Sequence, residues 1–286
     1  MEATVSKGFL ILAHNTSDVN YVDQAYALAL SIKYSQKTFS KISIVTNNRV
    51  SKKYRAVFDK VIKIPWIDQT VTPASRYKCE HRWKLYHVSP YTETIVLDTD
   101  MLVLEDITKW WHYCNNYDIK FCSKIKSYKL EPITDTVNRK HFIVNNLTNP
   151  YVALHYFKKS QVAYEFYRVL EFVCNNWQWC YDKFAPNLYQ DYLSMDLAVA
   201  IAIEITGQFQ AVNDICSPLE FIHMKPNIQQ WHSVPAKWQD VVPVILNFKG
   251  ELVVGNIKQS KIFHYVEKDF LTAQLILRLE DVANGK

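Results

Sequence analysis

Apolar and polar positions set a repeating rhythm along the first hundred residues. Gly8 to Ala13 (GFLILA) is a short, continuously apolar run, its exit HNTSD is polar and turn-rich, and Val22, Tyr26, Ala29 and Ile32 then recur at near-helical spacing. This order predicts strand, loop and helix. The unit repeats: Lys41 to Thr46 (KISIVT) predicts a second strand, NNRVS its exit, Lys52 to Phe58 a short helix and Val61 to Ile64 a third strand. Buried strands alternating with helices predict an α/β fold built on a mixed, mostly parallel sheet flanked by helices. Ligands of such sheets sit beyond the carboxyl ends of the strands. The loops after Ala13 and after Leu97 are therefore where chemistry is sought.

Further along, Arg82 to Val88 reads as helical. Thr94 to Leu97 (TIVL) reads as a strand that ends in Asp98-Thr99-Asp100 and is followed by a second apolar run, Met101 to Leu104. Val162, Phe166, Val169, Leu170 and Val173 form a helical stripe, and Leu193 to Ile205 predicts an apolar helix with Asp196 near its start. Beyond Pro218 the pattern changes to short strands and turns: PLEFIH, PVILNF, ELVV and KIFHY. With no repeat, low-complexity stretch or linker, residues 1–286 read as a single domain.

Composition narrows the class. The 286 residues are 49% hydrophobic and 21% charged, too apolar for a disordered chain. No apolar run reaches the ~18 residues of a membrane span, and MEATVSKGFLILA has too short an apolar stretch for a secretory signal; a soluble cytoplasmic protein is expected. Cys79, Cys114, Cys122, Cys174, Cys180 and Cys216 lie far apart without a CxxC pair, which predicts free thiols. The net charge of +5 is concentrated in two stretches, Arg49 to Lys63 and Lys120 to Lys140, each with six basic residues. Such stretches attract phosphate-rich partners or form a solvated face.

Asp98 and Asp100 carry the sharpest chemical signal. Carboxylates at i and i+2 on an extended backbone point the same way. Two like charges at the end of a buried strand need a counter-ion, and a hard divalent cation such as Mg²⁺ or Mn²⁺ suits oxygen ligands. A turn with capping aspartates gives the same three letters. The apolar strands on both sides favour the cation site.

The stretch RWKLYHVSPYTETIVLDTDMLVLEDI resembles the glycogenin-like and galactosyltransferase-like retaining glycosyltransferases of the GT-A fold. Upstream, GFLILAHNTSDVNYVDQAYALALS is similar to that family's first strand, nucleotide loop and helix, and ISIVTNNRVSKKYRAVFDKVIKIPW to its second unit. The resemblance covers about the first 105 residues well and the rest in patches. It implies a nucleotide-binding half, 1–105, and a sugar and acceptor half, 106–286, whose C-terminal short strands lie on the acceptor side. It also implies transfer of a sugar from a nucleotide-sugar, a UDP-sugar above all, to a hydroxyl acceptor with retention and with Mn²⁺ or Mg²⁺.

Residue by residue, the resemblance sets Ala13, His14 and Asn15 against uracil and ribose, with Tyr21 on the base. Arg82, or failing it Lys84, reaches the donor's phosphates or sugar, and Thr99 belongs to the donor-binding DxD loop. Asn149 matches an Asn-x-Gly turn at the donor sugar, although Tyr151 stands where that turn has glycine. In QDYLSMDLAVAIA, Asp196 matches an acid near the anomeric carbon; helix capping is its other reading. The third metal ligand would be His264 in KIFHYVEKDF, preferred over His223 in EFIHMKP, with Lys268 or Lys225 on the diphosphate.

Alternatives differ in class. Aromatic richness and the basic stretches resemble phage-encoded GT-A proteins that would glycosylate a hydroxymethylated base in DNA, in the host cytoplasm. A metal-dependent phosphotransferase or nuclease would need a further acidic cluster. A non-catalytic nucleotide-binding scaffold would keep only the first 105 residues' chemistry.

Overall fold

The computed structural model describes residues 6–285 apart from 17, 39–40, 67–79, 135–138, 213, 226–228, 230 and 232–236. The strands are β1 (Lys7–Ala13), β2 (Ile42–Thr46), β3 (Lys60–Lys63), β4 (Glu93–Leu97), β5 (Met101–Val103), β6 (Ile119–Cys122), β7 (Lys124–Lys126), β8 (Tyr151–Lys158), β9 (Glu220–His223), β10 (Val244–Leu246), β11 (Leu252–Val254), β12 (Ile257–Lys258) and β13 (Ile262–His264). The helices are α1 (Tyr21–Ser35), α2 (Lys52–Arg55), α3 (Leu85–Val88), α4 (Thr108–Cys114), α5 (Lys140–Val144), α6 (Gln161–Asn175), α7 (Trp177–Phe184), α8 (Met195–Thr206), α9 (Trp238–Val241) and α10 (Ala273–Ala283).

The main sheet runs β3-β2-β1-β4-β8-β6. Its first four strands are parallel, and β8 runs antiparallel to both β4 and β6. The mixed, mostly parallel sheet expected from the sequence is therefore present, and β8 and β6 from the second half of the chain complete it. Alternation along β1 explains its continuous apolar run: Leu10 packs with Val96 and the α6–α8 layer, whereas Phe9, Ile11 and Ala13 pack with α1. Both faces are buried, as strands covered by helices on each side require.

Helix α1 is apolar nearly all round because it too is buried on two sides. Val22, Ala25, Leu28, Ala29 and Ile32 face the sheet. Tyr26, Ala27 and Leu30 meet Leu102, Phe263, Tyr265, Leu275 and Leu279 from the C-terminal part. Burying such a side chain fully contributes roughly 1.5–3 kcal/mol, so this second face fixes where the C-terminal strands lie.

Those strands build a second, four-stranded sheet in the order β5-β13-β9-β7. Strand β13 is antiparallel to β5, with His264 opposite Met101, and parallel to β9, with His264 beside His223. A three-stranded meander, β10-β11-β12, completes the short strands foreseen after Pro218. Among the described residues no helix is long and apolar enough to cross a membrane. The described cysteines are all free thiols; Cys79 lies outside the described residues.

Candidate functional site

Asp98, Thr99 and Asp100 occupy the step between the two sheets, after β4 leaves the first and before β5 enters the second. The backbone here is a turn, not the extended strand the sequence reading assumed. The carboxylates converge because the turn is clamped from three sides. The Asp98 N–H donates to Ala153 O at 3.0 Å, the Thr99 hydroxyl donates to Gln24 Oε1 of α1 at 3.1 Å, and Asp100 O accepts from the Tyr265 N–H at 3.0 Å. Thr99 thus spends its side chain holding the turn against α1.

One ligand atom each from Asp98, Asp100 and His264 lies within 4.8 Å of the others. In the present arrangement cationic and imidazole side chains cover the acids. Arg82 Nη2 is 2.5 Å from Asp98 Oδ1, His264 Nε2 is 3.0 Å from Asp100 Oδ1, and Lys268 Nζ donates to Asp100 Oδ2 at 2.9 Å. Burial and the neighbouring Asp100 charge push the Asp98 carboxyl up despite Arg82. Burial also acts to raise Asp100, but His264 and Lys268 outweigh it and hold Asp100 well below the usual carboxylate range. Two hard oxygen donors and one imidazole, packed closely enough to need positive charge, fit a divalent cation such as Mn²⁺ or Mg²⁺.

A second cluster forms where β8 begins. Arg139 donates from Nε to Asn149 Oδ1 at 2.6 Å, from Nη1 to Asp196 Oδ2 at 2.6 Å and from Nη2 to Pro150 O at 2.5 Å. Its guanidinium lies 4.1 Å from the ring centroids of both Phe142 and Tyr151. The other Asp196 oxygen accepts from the Val152 N–H at 2.9 Å. Asp196 sits in the first turn of α8, two residues past the N-cap Ser194, and both its oxygens bond outside the helix. Its carboxylate turns to β8, next to Ala153 and so next to the backbone of Asp98. Arg139 is the residue sequence reasoning missed: its partners are 10 and 57 positions away, and within its own stretch it reads as one more basic residue.

The other expected donor residues divide. Tyr21 opens α1 and lies under Lys268, whose Nζ is 5.2 Å from its ring centroid. Ala13 ends β1, fully buried, and His14 follows it in the same loop. Asn15 is tied up locally: its Oδ1 accepts from the Val22 N–H at 3.1 Å and its Nδ2 donates to Asn20 at 2.8 Å, so it helps start α1. Lys84 lies over two indole rings, its Nζ 5.5 Å and 5.2 Å from the Trp66 and Trp83 centroids. His223 is outside the three-residue metal cluster but its ring stacks on His264 with centroids 4.8 Å apart.

The basic stretch from Lys120 to Lys140 is largely consumed inside the protein. Lys120 is fully buried and donates to Gln210 O at 2.5 Å, Lys124 donates to the Ile215 and Ser217 carbonyls, Lys126 pairs with Glu220, and Arg139 holds Asp196. Only part of the charge excess is therefore left as a face for a polyanion.

No family model and no curated protein matches this sequence. Solved structures do match in fold. Mouse xyloside xylosyltransferase 1 in its apo form aligns with a TM-score of 0.53 and 12% identity over 94% of this chain and 100% of its own. The galactosyltransferase LgtC, solved in complex with donor and acceptor sugar analogues, aligns with a TM-score of 0.51 and 13% identity over 97% and 95%. With two sheets meeting at an Asp-Thr-Asp turn, the chain has the GT-A fold of these glycosyltransferases.

Proposed function

We propose that this protein is a metal-dependent glycosyltransferase that moves a sugar from a nucleotide-sugar, most simply a UDP-sugar, to a hydroxyl acceptor with retention of configuration. The observation that carries the reading is the convergence of Asp98, Asp100 and His264 at the carboxyl end of β4, beside a second cluster that presents Asp196. A divalent cation held by these three residues would neutralise charge gathering on a departing diphosphate.

The remaining roles belong to the chain itself. Arg82 and Lys268 already lie on the two acids and would turn to diphosphate oxygens as charge-assisted donors. Tyr21, under Lys268, offers a face for the base. Arg139 orients both Asp196 and Asn149, the residues expected nearest the transferred sugar. Both Asp196 oxygens accept strong hydrogen bonds, which weakens the carboxylate as a nucleophile. This favours its acting as a fixed negative charge beside a developing oxocarbenium ion, with the acceptor attacking on the leaving-group face.

Calorimetry with UDP, with and without Mn²⁺, tests the reading first. Binding that requires Mn²⁺ and is abolished in Asp100→Ala is expected, and UDP binding indifferent to Mn²⁺ would end it. Hydrolysis of a UDP-sugar by the wild type and its loss in Asp100→Ala separates an enzyme from a nucleotide-binding scaffold.

A further inference from the structure

Helices α6 and α7 meet at Asn176, which closes the first and opens the second. Along α6 the core takes Ala163, Phe166, Tyr167, Leu170 and Val173, and along α7 it takes Cys180 and Tyr181. Phe172 and Trp179 belong to neither set. Their rings meet edge to face across the bend, with centroids 6.1 Å apart and planes at 79°, yet they stay 47% and 55% exposed. Ile205, 40% exposed near the end of α8, joins them with Val169 and Phe184 in the lining of a groove of about 320 Å³. That volume falls at the lower end of the range for small-ligand sites, and contiguous exposed apolar surface marks a place of contact. Ile205 lies nine residues past Asp196 on α8, about 14 Å at the helical rise, so the groove is separate from the acid clusters.

Charge sorts what the groove can take. The three helices carry five carboxylates and two cations, and only the cations, Arg168 and Lys183, line the groove. Lys183 rests its Nζ 4.9 Å and 5.5 Å from the Trp179 and Phe184 ring centroids. Arg168 makes a loose 3.9 Å contact with Glu171 and keeps most of its side chain in solvent. The walls supply little else that is polar. Apart from the two cations and the Trp179 indole N–H, the lining side chains have no hydrogen-bonding group. A sugar or an extended peptide would leave its own polar groups without partners there. A hydrocarbon chain that ends in an anion has none to leave.

We propose that this groove binds a single-chain anionic amphiphile of the fatty-acyl carboxylate class, its chain lying on Phe172, Trp179 and Ile205 and its head group met by Lys183 and Arg168. The proposal is independent of the sugar-transfer reading.

Calorimetry on the full chain with decanoate, kept monomeric, and with decyltrimethylammonium as its cationic counterpart tests this. Wild type should bind decanoate saturably and about fivefold more tightly than the cation. Trp179→Ala should weaken decanoate roughly tenfold, whereas Trp179→Phe, which keeps a ring, should stay within about threefold of wild type. Reversing both charges, Arg168→Glu with Lys183→Glu, should turn the preference toward the cationic chain. The proposal is overturned if wild type shows no saturable decanoate binding, if Trp179→Ala binds it as wild type does, or if the anion preference survives the double reversal. Equal loss in Trp179→Ala and Trp179→Phe would overturn it as well, since the ring surface would then not be what is recognised. Binding to phosphatidylglycerol vesicles with none of monomeric decanoate would identify a membrane-docking face instead and would likewise overturn it.

Discussion

Acidification should destabilise this protein through His155, and the size of the effect follows from its surroundings. His155 lies in β8 opposite Val96, 2% exposed, with its ring stacked on Phe121 at 5.2 Å and Nδ1 2.8 Å from Val152 O. Burial pushes its pKa down from 6.5 to about 3; the Val152 carbonyl opposes this and the charge of Arg82 adds to it. The folded-state value is depressed, so the unfolded chain takes up the proton first. The stability associated with the neutral ring is fully present above 6.5 and is lost as pH falls toward about 3. At about pH 5 the unfolded imidazole is about 1.5 units below its own pKa while the folded one is still neutral. At about 1.4 kcal/mol per unit, His155 alone costs the fold about 2 kcal/mol relative to neutral pH. Urea denaturation of wild type and His155→Phe at about pH 7.5 and about pH 5 isolates this contribution, because carboxylates and other histidines cancel in the difference. The gap between the two proteins should shift by about 2 kcal/mol in favour of H155F at the lower pH. A gap that stays constant within about 0.5 kcal/mol would refute the assignment of a neutral, buried imidazole.

Two further predictions concern Arg139 and Gly8. Arg139→Met strips Asp196 of its charged partner while leaving the aspartate three-quarters buried; the loss should be about 3–5 kcal/mol. In a double-mutant cycle read by urea midpoints, pairing it with Asp196→Asn should recover a good part of that loss, and strict additivity would contradict a direct coupling. In β1, a Cβ on Gly8 would fall 2.2–2.6 Å from ring carbons of Tyr91, itself 5% exposed and anchored by a 2.7 Å hydrogen bond to Ser43. Gly8→Ala should therefore lower stability by about 1–3 kcal/mol, although alanine normally suits a strand better than glycine. Double substitution with Tyr91→Leu should relieve most of it, as thermal midpoints would show.

The parts of this molecule legible in its sequence are those decided locally. The GFLILA run, its polar exit and the α1 spacing define the first unit because strand alternation and helix periodicity are written in consecutive residues. The Asp-Thr-Asp turn stood out for the same reason, since apolar strands flank it on both sides. What could not be read depends on long-range pairing. Neither of two plausible histidines could be chosen outright from local context. The pairing of β13 with both β5 and β9 sets them side by side and brings only His264 to the acids. Arg139 and Lys120 look like surface charges until Asp196 and Asp214 are folded against them. Asn15 and Thr99 carry polar groups in the right loops, yet their nearest uses are the start of α1 and the hold on Gln24.

The position of β13 also bears on when the site comes into being. It is the last of the described strands, yet it is interior to its sheet, inserted between β5 and β9. During synthesis Asp98 and Asp100 emerge more than a hundred and sixty residues before His264, and no short-range event can unite them. The placement of that strand between two earlier ones brings Phe263 into the core against α1 and His264 to Asp100. A nascent or C-terminally clipped chain would therefore lack both part of the core packed on α1 and the third member of the Asp98–Asp100–His264 cluster.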